Sequence, residues 1–171
     1  MATNDLPKPP MQPLLDGAFS GPTEFAQLVR DAIATAARED WSEMVWSDAT
    51  FEDWPLREKV VVEDLQRWAR TGRRLTLLAN RFDSVIRYQP RFVNWRVQWD
   101  HIVECRICRH VEASEVPSAL WSPGWSMRRL DAVRSTGMAG FEPQRRLVLK
   151  ESLDECRRNS GPGFPASTLG L

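Results

Sequence analysis

The sequence lacks an excess of charge of either sign. Its 171 residues include 23 lysines and arginines against 23 aspartates and glutamates, so the formal net charge is zero. General binding of nucleic acid depends on a basic surface that neutralises phosphates, and we therefore expect no general nucleic-acid binding. Zero net charge also removes the repulsion between copies of the chain, and we expect a homodimer, whereas any other protein partner stays unidentified.

Cysteine and long apolar runs are also scarce. The three cysteines are an odd number, and the N-terminus has neither the basic segment nor the apolar core of a secretory signal. The chain contains no run of about 18 apolar residues, the length that a membrane-spanning helix needs. These absences predict a cytoplasmic protein with free thiols and no membrane span.

Several motifs of catalysis and cofactor binding are missing. The chain has no Gly-x-Ser-x-Gly elbow, no phosphate-binding Gly-rich loop and no Gly-x-Gly-x-x-Gly. We therefore expect neither Ser-His-Asp catalysis nor a cofactor.

Tryptophan, in contrast, is abundant, with eight residues against one tyrosine. Because a buried indole N–H needs a partner, we expect a tryptophan-rich core together with a sticky surface patch. Trp121 and Trp125 flank a Ser-Pro-Gly turn. This pair is interpreted either as a patch that contacts a peptide or another ligand, or as a loop anchored by its aromatic side chains.

The central stretch of the chain predicts a strand, a helix and a second strand. Residues 41–47 are a short apolar run, residues 56–70 carry apolar side chains at helical spacing, and residues 74–80 are typical of a buried strand. Two strands joined by a helix of this length lie parallel and adjacent. The sequence therefore predicts an α/β fold with a mixed, largely parallel sheet flanked by helices.

The remaining segments complete a single domain. Residues 1–22 are proline-rich and predict a flexible arm, residues 23–160 form the α/β domain, and residues 161–171 are an extended tail that either docks on the domain or stays free. Further helices are predicted over 24–39, 83–100 with a restart at Pro90, and 143–159; further strands over 102–107 and 118–121 and as two short pieces within 127–138.

This order of elements resembles one half of the phospholipase D superfamily fold. Residues 25–47 resemble its opening helix and first strand, residues 65–78 its helix, turn and second strand, and residues 143–160 its closing helix. The resemblance covers roughly residues 23–160. A single half also leaves exposed the face that a partner half covers, and such exposed apolar area favours association.

The catalytic motif of that superfamily, His-x-Lys-x-x-x-x-Asp, is absent. His101 has Val103 at the Lys position, and His110 has Glu112 there. A phosphodiester requires a nucleophile and a cation directed at the same non-bridging oxygens, and a carboxylate would repel the substrate. The resemblance therefore implies the scaffold without its activity. The alternative is a degenerate phosphodiesterase or nuclease that uses His101 or His110 with a nearby arginine.

Polar residues follow the first two strands of the predicted parallel sheet. Asp48 and Asp53 come after the first, and Asn80 and Arg81 after the second. Ligands of open parallel sheets bind at the carboxyl ends of strands, which makes these four residues, with the Trp121 and Trp125 pair, candidate ligand-binding residues. The alternative is that they cap helices and belong to solvated loops.

A cluster of soft ligands surrounds the next predicted strand. His101, Cys105, Cys108 and His110 offer the imidazole and thiolate groups that zinc prefers. However, a strand over 102–107 would turn the first two to one face and the last two to the other. Buried thiols on a strand are the favoured interpretation, and a small zinc-binding protein is the alternative.

Arginines and aromatic residues alternate between Arg87 and Arg109. Such a pattern can stack nucleobases or bind phosphates. The neighbouring carboxylates and the zero net charge instead favour arginines that are solvated and tryptophans that pack in the core. With the missing motif and the abundant tryptophan, these features predict a non-catalytic α/β protein that acts as a protein-interaction or scaffold module.

Overall fold

A computed structural model describes residues 13–71 and 73–165. Within these residues one mixed sheet has the strand order β1-β7-β6-β5-β2-β3-β4-β8 and carries helices on both faces, which confirms the predicted fold class. The strands are β1 (Gly17–Ser20), β2 (Glu43–Ser47), β3 (Arg74–Ala79), β4 (Val103–Ile107), β5 (Ser118–Trp121), β6 (Ser126–Asp131), β7 (Thr136–Gly140) and β8 (Gly161–Pro162). The helices are α1 (Pro22–Glu39), α2 (Lys59–Ala69), α3 (Asp83–Tyr88), α4 (Pro90–Gln98) and α5 (Pro143–Arg158).

The centre of the sheet is its parallel part. β2 pairs in parallel with β3, and β3 with β4, so the two strands on either side of α2 lie side by side as predicted. The other pairings among the described residues are antiparallel. The turns between β5, β6 and β7 are too short to contain the crossover that a parallel pairing needs.

The helices follow from apolar spacing and from proline at their first position. α1, α4 and α5 each begin at a proline, whose missing N–H costs nothing there. Residues 92–99, which fit both a helix and a strand by sequence, lie largely in α4 because this arrangement buries Phe92 and Trp95 together. None of the described helices is long and apolar enough to span a bilayer.

Two apolar layers of unequal size cover the sheet. The larger layer packs α1, α2 and α4 against one face, and its largest buried side chains include Trp46, Trp54, Trp68 and Trp125. On the opposite face, the one helix within residues 13–71 and 73–165 is α5, which packs through Leu149 and Leu153. Because one helix cannot cover eight strands, the described part of the chain leaves a depression at the β6 and β7 end of that face.

The predicted N-terminal arm is too long. Leu14 and Phe19 are buried, and Gly17–Ser20 pairs with β7 as an edge strand, a position where proline-rich flanks are tolerated. Residues 1–12 lie outside the described residues. At the other end, Phe164 packs on Phe82 with ring centroids 5.5 Å apart, so residues 161–165 lie on the domain. Leu169 and Leu171 fall outside the described part.

Candidate functional site

A buried carboxylate organises the end of β2. Asp48 follows Ser47 directly, and its Oδ2 accepts backbone N–H bonds from Thr50 (3.2 Å) and Phe51 (2.8 Å). Its Oδ1 accepts the hydroxyl of Ser118 at the start of β5, at 2.7 Å. Asp48 therefore holds the turn after β2 against the neighbouring strand.

The cation of this cluster is Arg129 on β6, whose side chain is only 4% exposed. Its Nη2 donates to Asp48 at 2.9 Å, its Nε donates to Ser118 at 3.0 Å, and Nη1 bonds to both Asp53 and Ser135. Burial lowers the pKa of Arg129, but the hydrogen bond to Asp53 and the charge of Asp48 outweigh it and raise that pKa. The guanidinium is therefore a permanently charged, fully bonded group.

Aromatic packing completes the surroundings of Arg129. The guanidinium carbon lies 4.0 Å from the ring centroid of Phe25 on α1, a cation–π geometry that supplements the ion pairs. Together these contacts tie β2, β5, β6 and α1 to one side chain. We refer to Asp48, Asp53, Ser118 and Arg129 as the Arg129 network.

A depression of about 710 Å³ lies beside the Arg129 network at the carboxyl end of β2. Its rim is predominantly acidic, since Glu52, Asp53, Glu115 and Asp131 all line it. We call it the acidic depression. Asp53, 43% exposed at its side chain, is the member of the network that faces solvent.

A second depression, of about 310 Å³, lies on the open part of the sheet beside α5. Its floor is apolar and its rim carries Arg128 and Arg145. We call it the β6–β7–α5 groove. Arg128 and Leu130 of β6 line both this groove and the acidic depression, so the two adjoin each other. The remaining lining residues are Ser126, Met138, Ala139, Gly140, Gln144, Val148 and Leu149.

The predicted ligand-binding residues occupy different surroundings. Asp48 and Asp53 meet in the Arg129 network. Asn80 instead donates to the carbonyls of Cys108 and Val111, each at 3.2 Å, and so fixes the turn after β4. Arg81 is exposed. The two strand ends adjoin, since the backbone N–H groups of Asn80 and Arg81 donate to the carbonyl of Ala49 at 3.0 and 3.1 Å. The side chains of Asp48 and Asn80, however, bond to different partners and do not form one site.

The two tryptophans of the Ser-Pro-Gly turn anchor separate parts of the fold. Trp125 is fully buried, and its indole N–H donates to the carbonyl of Leu15 at 2.9 Å. Trp121 lies under α5, where its indole donates to the carbonyl of Arg146 at 3.1 Å and Lys150 stands 5.2 Å from its ring. Of the two interpretations of this pair, the contacts favour the anchored loop.

The histidines lie apart from each other and from the acidic depression. His101 precedes β4 and lies against Trp99, with 5.6 Å between ring centroids. His110 follows β4 and lines a shallow depression with Arg109. Both are exposed. A phosphodiesterase would need a nucleophile and a cation directed at one phosphate, and His110 lies beside Arg109 in this depression.

The cysteines divide between the two faces of the sheet. Cys105 is buried in the larger apolar layer, where burial raises the pKa of its thiol to about 12. Cys108 faces the other way and contacts Cys156 of α5. Among residues 13–71 and 73–165, no group of three or more His, Cys, Asp or Glu residues is placed to hold a metal ion.

Two parts of this arrangement are not predicted by the sequence patterns described above. Arg129 lies between Met127 and Asp131, in a segment whose pattern predicts only a short strand. The alternation of β6 places Arg129 on the same face as buried Met127. An arginine at a core-facing position of a strand is the sequence feature that could have identified Arg129 as a buried cation. The β6–β7–α5 groove has no local signal, because it is formed by a strand pair and a helix that meet only in the fold.

Comparison with known proteins gives a fold neighbour and no family. No family model and no curated protein matches the chain. Its structure is similar to that of TrmBL2, an archaeal chromatin protein whose structure is described as showing a novel mode of DNA binding. The TM-score is 0.64 at 11% sequence identity, over 91% of this chain and 56% of the TrmBL2 chain. The chain therefore spans little more than half of the length of that protein.

This likeness corrects the expectation that the chain takes no part in general nucleic-acid binding. A protein of similar fold is a DNA-binding chromatin protein, so the exclusion drawn from zero net charge is wrong. The physical reason is that net charge sums over the whole chain, whereas phosphates respond to the local arrangement of cations. The resemblance to the phospholipase D superfamily stays a prediction.

Proposed function

We propose that the protein is a non-catalytic interaction module on a phospholipase D-like half scaffold, and that it forms a homodimer through the β6–β7–α5 groove and the acidic depression. The observation that carries the proposal is that a groove with an apolar floor and a basic rim adjoins an acidic depression at Arg128 and Leu130.

Exposed apolar side chains support an interface at this place. Leu130, which separates the two depressions, is 70% exposed, and Val148 on the α5 wall is 50% exposed. Phe141 and Leu147, in the neighbouring segments, are exposed as well. Apolar side chains grouped in this way are typical of protein contact surfaces.

The distribution of charge selects a second copy of the chain as the partner. In a two-fold dimer the same patch of each copy contacts the other, so a patch must be complementary to itself. The basic rim of the groove, with Arg128 and Arg145, can contact the acidic rim of the second copy's depression, and the reverse contact follows by symmetry. The zero net charge permits this approach.

Sedimentation analysis of two matched variants tests the dimer. Leu130→Glu places a charge at the centre of the surface, and Val60→Glu places the same charge at an exposed position on α2, on the other face of the sheet. We expect a dimer for the wild type and for Val60→Glu, and a monomer for Leu130→Glu. A monomeric wild type, or equal behaviour of the two variants, contradicts the proposal.

DNA contact is a second candidate function, favoured by the fold neighbour and by arginines at the α3–α4 junction. Arg87 lies in the last turn of α3 with its guanidinium 5.2 Å from the ring of exposed Tyr88. Arg91, in the first turn of α4, donates to the carbonyl of Arg57 at 2.8 Å. Within the described residues, Arg57, Arg87 and Arg91 form no ion pair with a carboxylate. Their charge is therefore available to phosphates.

Fluorescence anisotropy with a labelled DNA duplex at several salt concentrations tests this second candidate. The double variant Arg87→Gln, Arg91→Gln should weaken binding and reduce the salt slope by about one for each phosphate that the variant no longer neutralises. Arg70→Gln is the matched control, because Arg70 is exposed at the end of α2 and away from the α3–α4 junction. Absence of binding at low salt, or equal weakening in the control, rejects the candidate.

A further inference from the structure

A pair of cysteines joins α5 to the sheet. Cys108 continues β4, its backbone N–H bonding to the carbonyl of Ala79 at 2.8 Å, and turns its side chain to the face that α5 covers. Its Sγ lies 3.7 Å from the carbonyl oxygen of Cys156 near the end of α5. Cys156 packs against the same apolar cluster as Cys108, so the two cysteines lie next to each other on this face of the sheet.

The two cysteines lie at a depression in the protein surface. Both cysteines line a surface depression of about 160 Å³, together with Val111, Ser152 and Glu155. Cys108 lies at its buried end, and Cys156 is half-buried nearer the surface. Cys105 is buried on the opposite face and does not line this depression. The three thiols of the chain therefore have two distinct environments.

The two thiols of the pair also differ in pKa. The hydrogen bond from Cys156 lowers the pKa of Cys108, with help from the charge of Arg106, and raises the pKa of Cys156. Thiolates are the reactive form of cysteine toward oxidants. Cys108 is thus the nucleophile of the pair, and Cys156 is the thiol held next to it.

We infer that Cys108 and Cys156 form a site of reversible oxidation by hydroperoxides, which closes a disulfide between β4 and α5. The Cys108 thiolate attacks the terminal oxygen of the peroxide, forming an S–O bond as the O–O bond breaks; with hydrogen peroxide, water leaves after protonation. Cys156 then attacks the sulfenic sulfur, the S–S bond forms, and a second water leaves. One peroxide is reduced and two thiols are oxidised, in the order that such thiol chemistry follows.

The geometry also holds the loop that carries Cys108. Asn80 bonds to the carbonyls of both Cys108 and Val111, so the nucleophile is fixed from the β3 side. The proposed disulfide connects residues that are 48 positions apart, and it would tether the last turns of α5 to the sheet. This site is independent of the proposed dimer and of DNA contact, because neither depends on these thiols.

The test treats the full chain with hydrogen peroxide and follows the thiols by mass spectrometry after alkylation. The expected product is an intramolecular disulfide between the Cys108 and Cys156 peptides, with Cys105 still reduced. Dithiothreitol should remove this disulfide. Cys105→Ser should form the link at the wild-type rate. Cys156→Ser should lose the link and accumulate a sulfenic acid at Cys108 that dimedone traps.

Opposite outcomes overturn the inference. They are reduced thiols at both positions after peroxide treatment, a link that includes Cys105, or an exclusively intermolecular link. Trapping of the sulfenic acid at Cys156 in Cys108→Ser, as fast as at Cys108 in Cys156→Ser, would also contradict the assignment of the nucleophile. Because Cys156 is half-buried, its serine variant is expected to fold, and the wild-type mapping needs no variant.

Discussion

Replacing Arg129 by methionine removes the cation of the Arg129 network while keeping an unbranched side chain. Asp48, whose side chain is 6% exposed, would then keep its backbone and hydroxyl donors but lose its counter-ion. Breaking a buried ion pair by removing one partner costs about 3–5 kcal/mol, because a charge is left uncompensated. Asp53 is partly exposed and can be hydrated, so it adds little to this cost.

The destabilisation should be visible in urea unfolding followed by tryptophan fluorescence. With a denaturant slope of about 2 kcal/mol/M, a decrease of about 4 kcal/mol moves the midpoint down by roughly 2 M. Arg134→Met is the matched control, since Arg134 is exposed in the turn between β6 and β7. Surface changes of this kind usually stay within about 0.5 kcal/mol.

A double-mutant cycle separates the ion pair from the packing of the arginine. Asp48→Asn removes the charge and retains a side chain of the same shape. If the charges are coupled, Asp48→Asn in the Arg129→Met background should cost at least about 1 kcal/mol less than in the wild type. Additive free energies of unfolding, or an Arg129→Met variant as stable as Arg134→Met, would refute the reasoning.

Three further predictions concern the tryptophans and the thiols. Trp46→Phe should cost about 1–2 kcal/mol less in unfolding free energy than Trp125→Phe. The reason is that the buried indole N–H of Trp46 has no partner among the described residues, whereas that of Trp125 bonds to a backbone carbonyl. Equal costs of the two variants in urea unfolding would contradict this. The Cys108–Cys156 disulfide should raise the unfolding free energy by up to about 4 kcal/mol, the value that the chain-entropy account gives for a loop between residues 48 positions apart. Thermal melts of oxidised and reduced protein measure this difference, and Cys156→Ser, which cannot form the disulfide, should show no difference. Alkylation of Cys105 should stay negligible up to about pH 9 in the native state, since its thiol is protonated below a pKa of about 12, and alkylation at about pH 8 without denaturant would show that this thiol is not buried.

The central part of the fold could be predicted because its signals are local. The periodicity of α2 and the apolar runs of β2 and β3 each lie within a few residues, and the helix between them leaves parallel pairing as the geometry available. β1 has no such signal. It is four residues long, lies in a proline-rich segment, and is stabilised by pairing with β7, which is distant in sequence.

The candidate site could be predicted in part for a similar reason. Asp48 and Asp53 are conspicuous in the sequence because they are polar residues at the carboxyl end of a strand. Their partner Arg129 is not, since only the fold brings β6 next to β2 through β5. The role of Asp48 also differs from the predicted ligand contact: four hydrogen bonds already occupy its two oxygens.

A charge exchange between two variants tests the proposed homodimer most directly. One variant carries Arg128→Glu and Arg145→Glu in the groove, and the other carries Glu52→Arg and Glu115→Arg at the acidic depression. Each alone should sediment as a monomer, because like charges then meet across the two-fold axis. An equimolar mixture should sediment as a heterodimer at the concentration where the wild type is a dimer. A mixture that stays monomeric while both variants are folded, or variants that dimerise alone, would contradict the account.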